Sequence, residues 1–211
     1  AVSIEYPRKN LAIHDIVPFR TQVLSDLIVH IKEQTEYDRL KLVLIGYSRG
    51  TVPSRHAATE QSRYIDGLSL IAPTWFREVV RPRELAQKGL AESARGIMRE
   101  SWVDKWGLIS AGARLAQEML THPIALRNDV ASISEEGAAD LEQVLTRGVR
   151  VGVVAGLRDE LCEVDGIRQV LGALSQPLAV DYREVESDHF YYFVKPSSLK
   201  VVAEQVTRLA G

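Results

Sequence analysis

Ser48 sits in Gly46-Tyr47-Ser48-Arg49-Gly50, directly behind the apolar run Leu42-Val43-Leu44-Ile45. Such a run suits a parallel strand covered on both faces. Glycines two residues either side of the serine suit a sharp strand-to-helix corner whose middle residue takes strained backbone angles. A corner of that kind lifts the serine Oγ to the carboxyl edge of a sheet and leaves the Arg49 N–H to donate to an oxyanion. A neutral serine is a weak nucleophile, so it needs a base to take its proton and a carboxylate to orient that base. The chain has five histidines to supply the base: His14, His30, His56, His122 and His189. His30 and His56 fall in helical patterns, His14 and His122 precede loop or helical segments, and His189 follows a strand-like segment. Asp159, Glu160 and Asp188 are the acids to weigh, and Asp188 adjoins His189 too closely in sequence to orient it well. The Arg49 side chain reads as a surface or salt-bridging group.

These residues need elements to hold them. The opening segment 1–6 alternates Val2, Ile4 and Tyr6 before Pro7 and predicts a strand. From Pro18, the residues Phe19, Val23, Leu24, Leu27, Ile28 and Ile31 recur at helical spacing. Beyond the serine corner, 51–63 predicts a short helix with Pro53 in its first turn, and 64–73 a buried strand ending at Pro73. From Trp75 to about Asn128 only helical patterns recur, which predicts a helical cap at 75–128 inserted into a core made of 1–74 and 129–211. Trp75 and Phe76, with Tyr47, are candidates to line a substrate pocket, although Trp75, Phe76, Trp102 and Trp106 fit the core of the cap more readily. A helix from Ser134, with Gly148 just past its end, leads to a strand at 149–156. Val164, Ile167, Val170, Leu171 and Leu174 then mark a helix, 178–186 a strand, and 197–211 a closing helix capped by Ser197 or Ser198. Alternating strands and helices imply an α/β fold, a mostly parallel sheet with helices on both faces whose ligands bind beyond the strands' carboxyl ends. Asp159 and His189 both follow predicted strands there.

The corner at Ser48 and the layout around it resemble the α/β-hydrolase superfamily, and the resemblance spans the chain. Its chain order of Ser, Asp and His implies that Ser48 is the nucleophile, Asp159 the orienting acid and His189 the base. Asp159 lies 111 residues beyond Ser48, a gap that the cap accounts for. The resemblance further implies a serine hydrolase acting on an ester or thioester of a small acyl substrate, since relatives that are dehalogenases or epoxide hydrolases carry aspartate at the corner. The family places several strands, and a loop donating a second oxyanion N–H, ahead of the nucleophile strand. Here one strand and one helix are predicted, so the resemblance implies an N-terminally shortened sheet whose exposed edge could drive self-association. The alternative is a binding or interaction protein that keeps the scaffold without turnover.

Composition narrows the partners. Hydrophobic residues make up 45% of the chain, enough for one sizeable core. The 26 basic and 28 acidic side chains leave a formal charge of −2, so no global field recruits nucleic acid or an anionic membrane. No apolar run approaches the ~20 residues that span a bilayer. The single cysteine, Cys162, forms no internal disulfide and favours a reducing compartment, with the cytoplasm as default. Neither H-E-x-x-H, a Gly-Lys-Ser/Thr phosphate loop nor G-x-G-x-x-G occurs, so neither metal nor cofactor is expected.

Overall fold

Segments of aliphatic residues bounded by turns form strands, and the helical repeats between them supply the cover. The computed structural model describes residues 13–34, 40–74, 87–89, 91–92, 94–95, 139–193 and 195–211. In chain order the described elements are α1 (Ile13–Glu33), β1 (Val43–Tyr47), α2 (Thr51–Glu60), β2 (Gly67–Ile71), α3 (Ala139–Thr146), β3 (Arg150–Gly156), α4 (Val164–Gly172), β4 (Val180–Val185) and α5 (Pro196–Ala210). The four strands are all parallel in the order β1-β2-β3-β4. The register pairs Tyr47 with Ile71, Ile71 with Val154, and Gly156 with Val185. The carboxyl ends of all four strands therefore meet at one edge, the arrangement that α/β sheets use for ligand sites.

On one face, Leu68, Leu70, Val151, Val153 and Ala155 form a single core with Leu24 and Ile28 of α1, Ala57 and Ala58 of α2, Leu141 and Val144 of α3, and Ile167 and Leu171 of α4. The other face is covered by α5, which packs chiefly on β2 and β3. Its buried Gln205 accepts a 2.7 Å hydrogen bond from Ser69 Oγ and donates one of 2.8 Å to the Asp181 carbonyl. A second cluster at the carboxyl edge joins Ile71, Val154, Cys162, Val185, Tyr192 and Val202. Helices thus lie on both faces, as the sequence predicts, and among the described residues no helix is long and apolar enough to cross a membrane.

Several boundaries differ from the sequence reading. Helix α1 begins ahead of Pro18 rather than at it; the buried Ile16 docks that first turn and offsets the one backbone hydrogen bond proline removes. Helix α2 stops at Glu60 and a separate 3₁₀ turn, Ser62–Tyr64, completes the expected span. Helix α5 starts at Pro196 with Lys195 at its cap, not at Ser197 or Ser198, because proline at the first position is pre-set for helix. The larger correction concerns β1. It is an edge strand among the described residues, and Ile45 is 45% exposed, since β2 is its only described neighbour and α5 is centred elsewhere on the sheet. Gly148 adopts φ +78° just past α3, as expected. The expected strand at 1–6, the helix start at Ser134, and all of the 75–128 cap except the helical pieces at 87–89, 91–92 and 94–95 lie outside the described residues.

Gly152 carries the closest approach of α5 to the sheet: a Cβ there would lie 2.8 Å from Gln205 Cγ and Nε2. Gln205 is bonded at both ends and cannot swing aside. Gly152→Ala is therefore expected to lower stability by about 1–3 kcal/mol in urea unfolding, and pairing it with Gln205→Ala should recover part of that loss.

Candidate active site

The corner between β1 and α2 is built by one glycine, not two. Ser48 has φ 50°, a left-handed conformation that a residue with a Cβ holds at a cost of roughly 1–3 kcal/mol. The turn Ser48–Gly50 feeds straight into α2, and the Thr51 N–H and Oγ1 both donate to the Ser48 carbonyl, the latter at 2.6 Å. A Cβ on Gly46 would come 2.8 Å from Thr51 Cα and 2.9 Å from Ser54 Oγ, so only glycine lets the helix sit down on the strand. Gly50 differs from expectation: a Cβ there meets nothing within 4 Å, and its φ of −71° suits any residue.

The parallel register brings three distant side chains to this corner. His189, in a 3₁₀ turn (His189–Tyr191) beyond β4, places Nε2 2.8 Å from Ser48 Oγ and Nδ1 2.9 Å from Asp159 Oδ2. Asp159 leaves the end of β3, and its Oδ1 accepts the backbone N–H groups of Cys162 at 2.7 Å and Leu161 at 3.0 Å. Tyr192 donates to Asp159 Oδ2 at 3.2 Å. Both Asp159 and His189 are only 4% exposed. Burial works against a charged imidazole, but the Asp159 charge, its hydrogen bond and the charge of Glu92 outweigh it and raise the His189 pKa above the ordinary 6.5. The arrangement can remove a proton from Ser48 and hold it on an imidazole facing a carboxylate.

Solved structures share this architecture over nearly the whole chain. A lipase-esterase related protein from Clostridium acetobutylicum ATCC 824 matches with a TM-score of 0.60 at 10% identity, covering 96% of this chain and 77% of that one. An enol-lactonase from Burkholderia xenovorans LB400 matches at 0.57 and 13%, covering 97% and 75%. A hydrolase from Oleispira antarctica matches at 0.57 and 12%, covering 90% and 74%. The chain has the α/β-hydrolase fold. No protein-family model and no curated protein matches its sequence.

Within this hydrolase fold the expected residues separate into those at the corner and those employed elsewhere. Ser48, Asp159 and His189 are brought together. Arg49 is exposed beside the serine. The Tyr47 ring stacks on His189 at 5.4 Å and its hydroxyl donates to the His189 carbonyl, while burial pushes its own pKa upward. Trp75, Phe76 and His122 lie outside the described residues. Asp188 faces Arg158 at 3.7 Å and Glu160 holds Arg95 through both carboxylate oxygens, so neither competes for the imidazole. Of the other histidines, His14 and His30 lie on α1, and His56 on α2 faces Asp140 at 3.5 Å.

Sequence reading missed Glu92, which accepts the His189 N–H at 2.5 Å, and the Tyr192 bond to the acid. It also missed Gly156, where a Cβ would overlap the Ser187 carbonyl and Tyr192 Oη. Asp159, Cys162 and His189 offer ligand atoms within 4.8 Å of one another. They suit a metal poorly, because the carboxylate and imidazole face each other and burial raises the Cys162 thiol, keeping it protonated. A cavity of about 560 Å³ opens on the acid's side, lined by Lys88, Glu92, Arg95, Arg158, Asp159 and Asp188 among others; Ser48 is not part of its wall.

Two outcomes follow from this geometry. Gly46→Ala should cost about 1–3 kcal/mol by overpacking, whereas Gly50→Ala should be neutral or stabilise by about 0.4–1 kcal/mol; urea midpoints read both. Because the folded His189 pKa is raised, its pairing with Asp159 contributes stability in full below 6.5 and loses it as pH rises through the folded value. Asp159→Asn should remove that pH-dependent component and lower the imidazole titration midpoint measured by NMR.

Proposed function

We propose that the protein is a serine hydrolase that cleaves a carboxylic ester or thioester of a small molecule through an acyl-enzyme. The observation that carries this reading is the unbroken hydrogen-bonded line Ser48 Oγ, His189 Nε2, His189 Nδ1, Asp159 Oδ2, with links of 2.8 and 2.9 Å. Ser48 Oγ attacks the substrate carbonyl carbon while its proton passes to His189 Nε2. The imidazolium is held by Asp159, which two backbone N–H bonds orient. The carbonyl oxygen becomes an oxyanion and accepts the N–H of Arg49, which sits in the turn between β1 and α2. As the tetrahedral intermediate collapses, Nε2 returns the proton to the departing alcohol or thiol. Water then repeats the attack on the acyl-serine, with His189 again as base.

Proton transfer of this kind contributes roughly 10²–10⁴-fold, and one oxyanion donor about 2.7–4 kcal/mol. An enol-lactonase and a lipase-esterase related protein stand among the structural neighbours, which agrees with an ester carbonyl as the target. In this reading the 75–128 segment is a cap that limits the acyl group. The cavity that excludes Ser48 favours a second reading, ligand binding without turnover.

A fluorophosphonate probe separates the two. The hydrolase reading expects labelling of the wild type, none of Ser48→Ala, and a fall of about 10⁴-fold or more in p-nitrophenyl ester hydrolysis on that substitution. A folded wild-type protein that neither labels nor hydrolyses short esters and thioesters would favour the binder.

A further inference from the structure

Glu92 is an expensive residue for its position. It is 3% exposed, and only one of its carboxyl oxygens is satisfied: Oε1 accepts the His189 N–H at 2.5 Å, while Oε2 is buried with no hydrogen-bond partner. A buried carboxyl with a bare oxygen is normally selected away or neutralised. Cations do stand nearby, yet each is turned to another acid. Lys88 pairs with Glu163 at 2.9 Å, Arg95 with Glu160, and Arg158 with Glu186 and Asp188 at 3.5 and 3.7 Å.

We propose that Glu92 is a positioning residue for the His189 imidazole, holding its turn in place through the backbone N–H and making the imidazole's hold on a proton depend on whether Glu92 is itself ionised. The proposal rests on His189 acting as the base, but the contact does not. Both imidazole nitrogens are already engaged, Nδ1 by Asp159 and Nε2 by Ser48, so Glu92 reaches the ring only through the main chain and through its field.

The groups facing Glu92 come from every element around it. Asp159 and Cys162 come from the loop after β3, Asp188 and His189 from the loop after β4, Tyr47 from the end of β1, and Arg95 from its own segment. Burial, then the Asp159 charge, push the Glu92 carboxyl up to about 7, against the His189 N–H bond and the His189 charge, with Asp188 raising it further. Glu92 and His189 are therefore coupled, each charge favouring the other's ionised form. Ionised Glu92 makes the imidazole more basic, and protonated Glu92 makes it less so.

Glu92→Gln keeps the acceptor and removes the charge, whereas Glu92→Ala removes both. Followed by NMR on the whole chain, the His189 titration should move down by about half a pH unit in Glu92→Gln. Glu92→Ala should slow fluorophosphonate labelling of Ser48 about tenfold, and Glu92→Gln should recover most of that rate. Stability supplies a readout that needs no catalysis. The raised Glu92 value stabilises the fold fully below 4.5 and ceases to as pH rises through about 7, so the wild type should lose stability relative to Glu92→Gln across that window. A Glu92→Gln titration superimposable on the wild type, or no relative change in stability, overturns the proposal. If the titration shifts but the wild type never labels, the hydrolase reading fails and the Glu92 coupling stands.

Discussion

The Asp159 carboxylate is the fixed point on which the rest of the site depends. A charge buried to 4% exposure is tolerated only if its lone pairs are filled, because desolvation costs several kcal/mol per ion. Two backbone N–H groups, a tyrosine hydroxyl and an imidazole N–H do so here. Each demand propagates outward. The amides of Leu161 and Cys162 require the chain to turn back immediately after β3, and Tyr192 must enter over the end of that strand. Gly156 must then lack a side chain, since Tyr192 and the Ser187 carbonyl fill its Cβ position. The loops after β3 and β4 are thereby packed into one unit, and His189 inherits its place from that packing. Its own contact with Ser48 is a consequence.

Seen this way, the legible and illegible parts of the chain follow from range. Ser48, Asp159 and His189 could be read in advance because each follows a hydrophobic run at the same end of a parallel strand and because they occur in the Ser, Asp, His order that the family resemblance implies. The stabilising contacts could not. Nothing near Glu92 in sequence marks it as the acceptor for an N–H 97 residues away, and nothing in the residue type of Tyr47 announces that it stacks on His189. Pattern reading also overestimates symmetry. The two glycines around Ser48 look equivalent, yet Gly46 faces α2 and Gly50 faces open space. Likewise Leu42 to Ile45 reads as a doubly covered strand, and the exposure of Ile45 is decided by where α5 crosses the sheet.

Strain at the carboxyl edge is concentrated in two adjacent places. Ser48 and Ala72, at the ends of the paired strands β1 and β2, are the described non-glycine residues with positive φ. Each is locked by main-chain bonding: Ser48 by Thr51 donating to its carbonyl, and Ala72 by its own N–H donating to Val154 at 2.9 Å. The surrounding packing can hold such angles because Ile71 and Ala72 belong to the same buried cluster as Tyr192 and Val185. The strained corner and the buried acid are therefore supported by one set of apolar contacts, which couples the stability of the carboxyl edge to the geometry of the site.

Charge shows the same contrast between the chain as a whole and its centre. The formal charge of −2 describes a nearly neutral surface field. At the carboxyl edge the balance is different: Asp159 and Glu92 are buried near one imidazole, while the neighbouring Arg95 points its guanidinium group at the more exposed Glu160 and Arg158 faces Glu186 and Asp188. Short-range interactions in a low-dielectric interior outweigh the screened surface sum, so it is the charges of Asp159 and Glu92, with the Asp159 hydrogen bond, that raise the basicity of His189. A more basic imidazole accepts the Ser48 proton more readily, yet it is also already protonated over more of the acidic range. For the proposed reaction this biases the site toward the alkaline side of the His189 titration, a bias set by the Asp159 and Glu92 carboxyl groups, whose placement belongs to the tertiary fold.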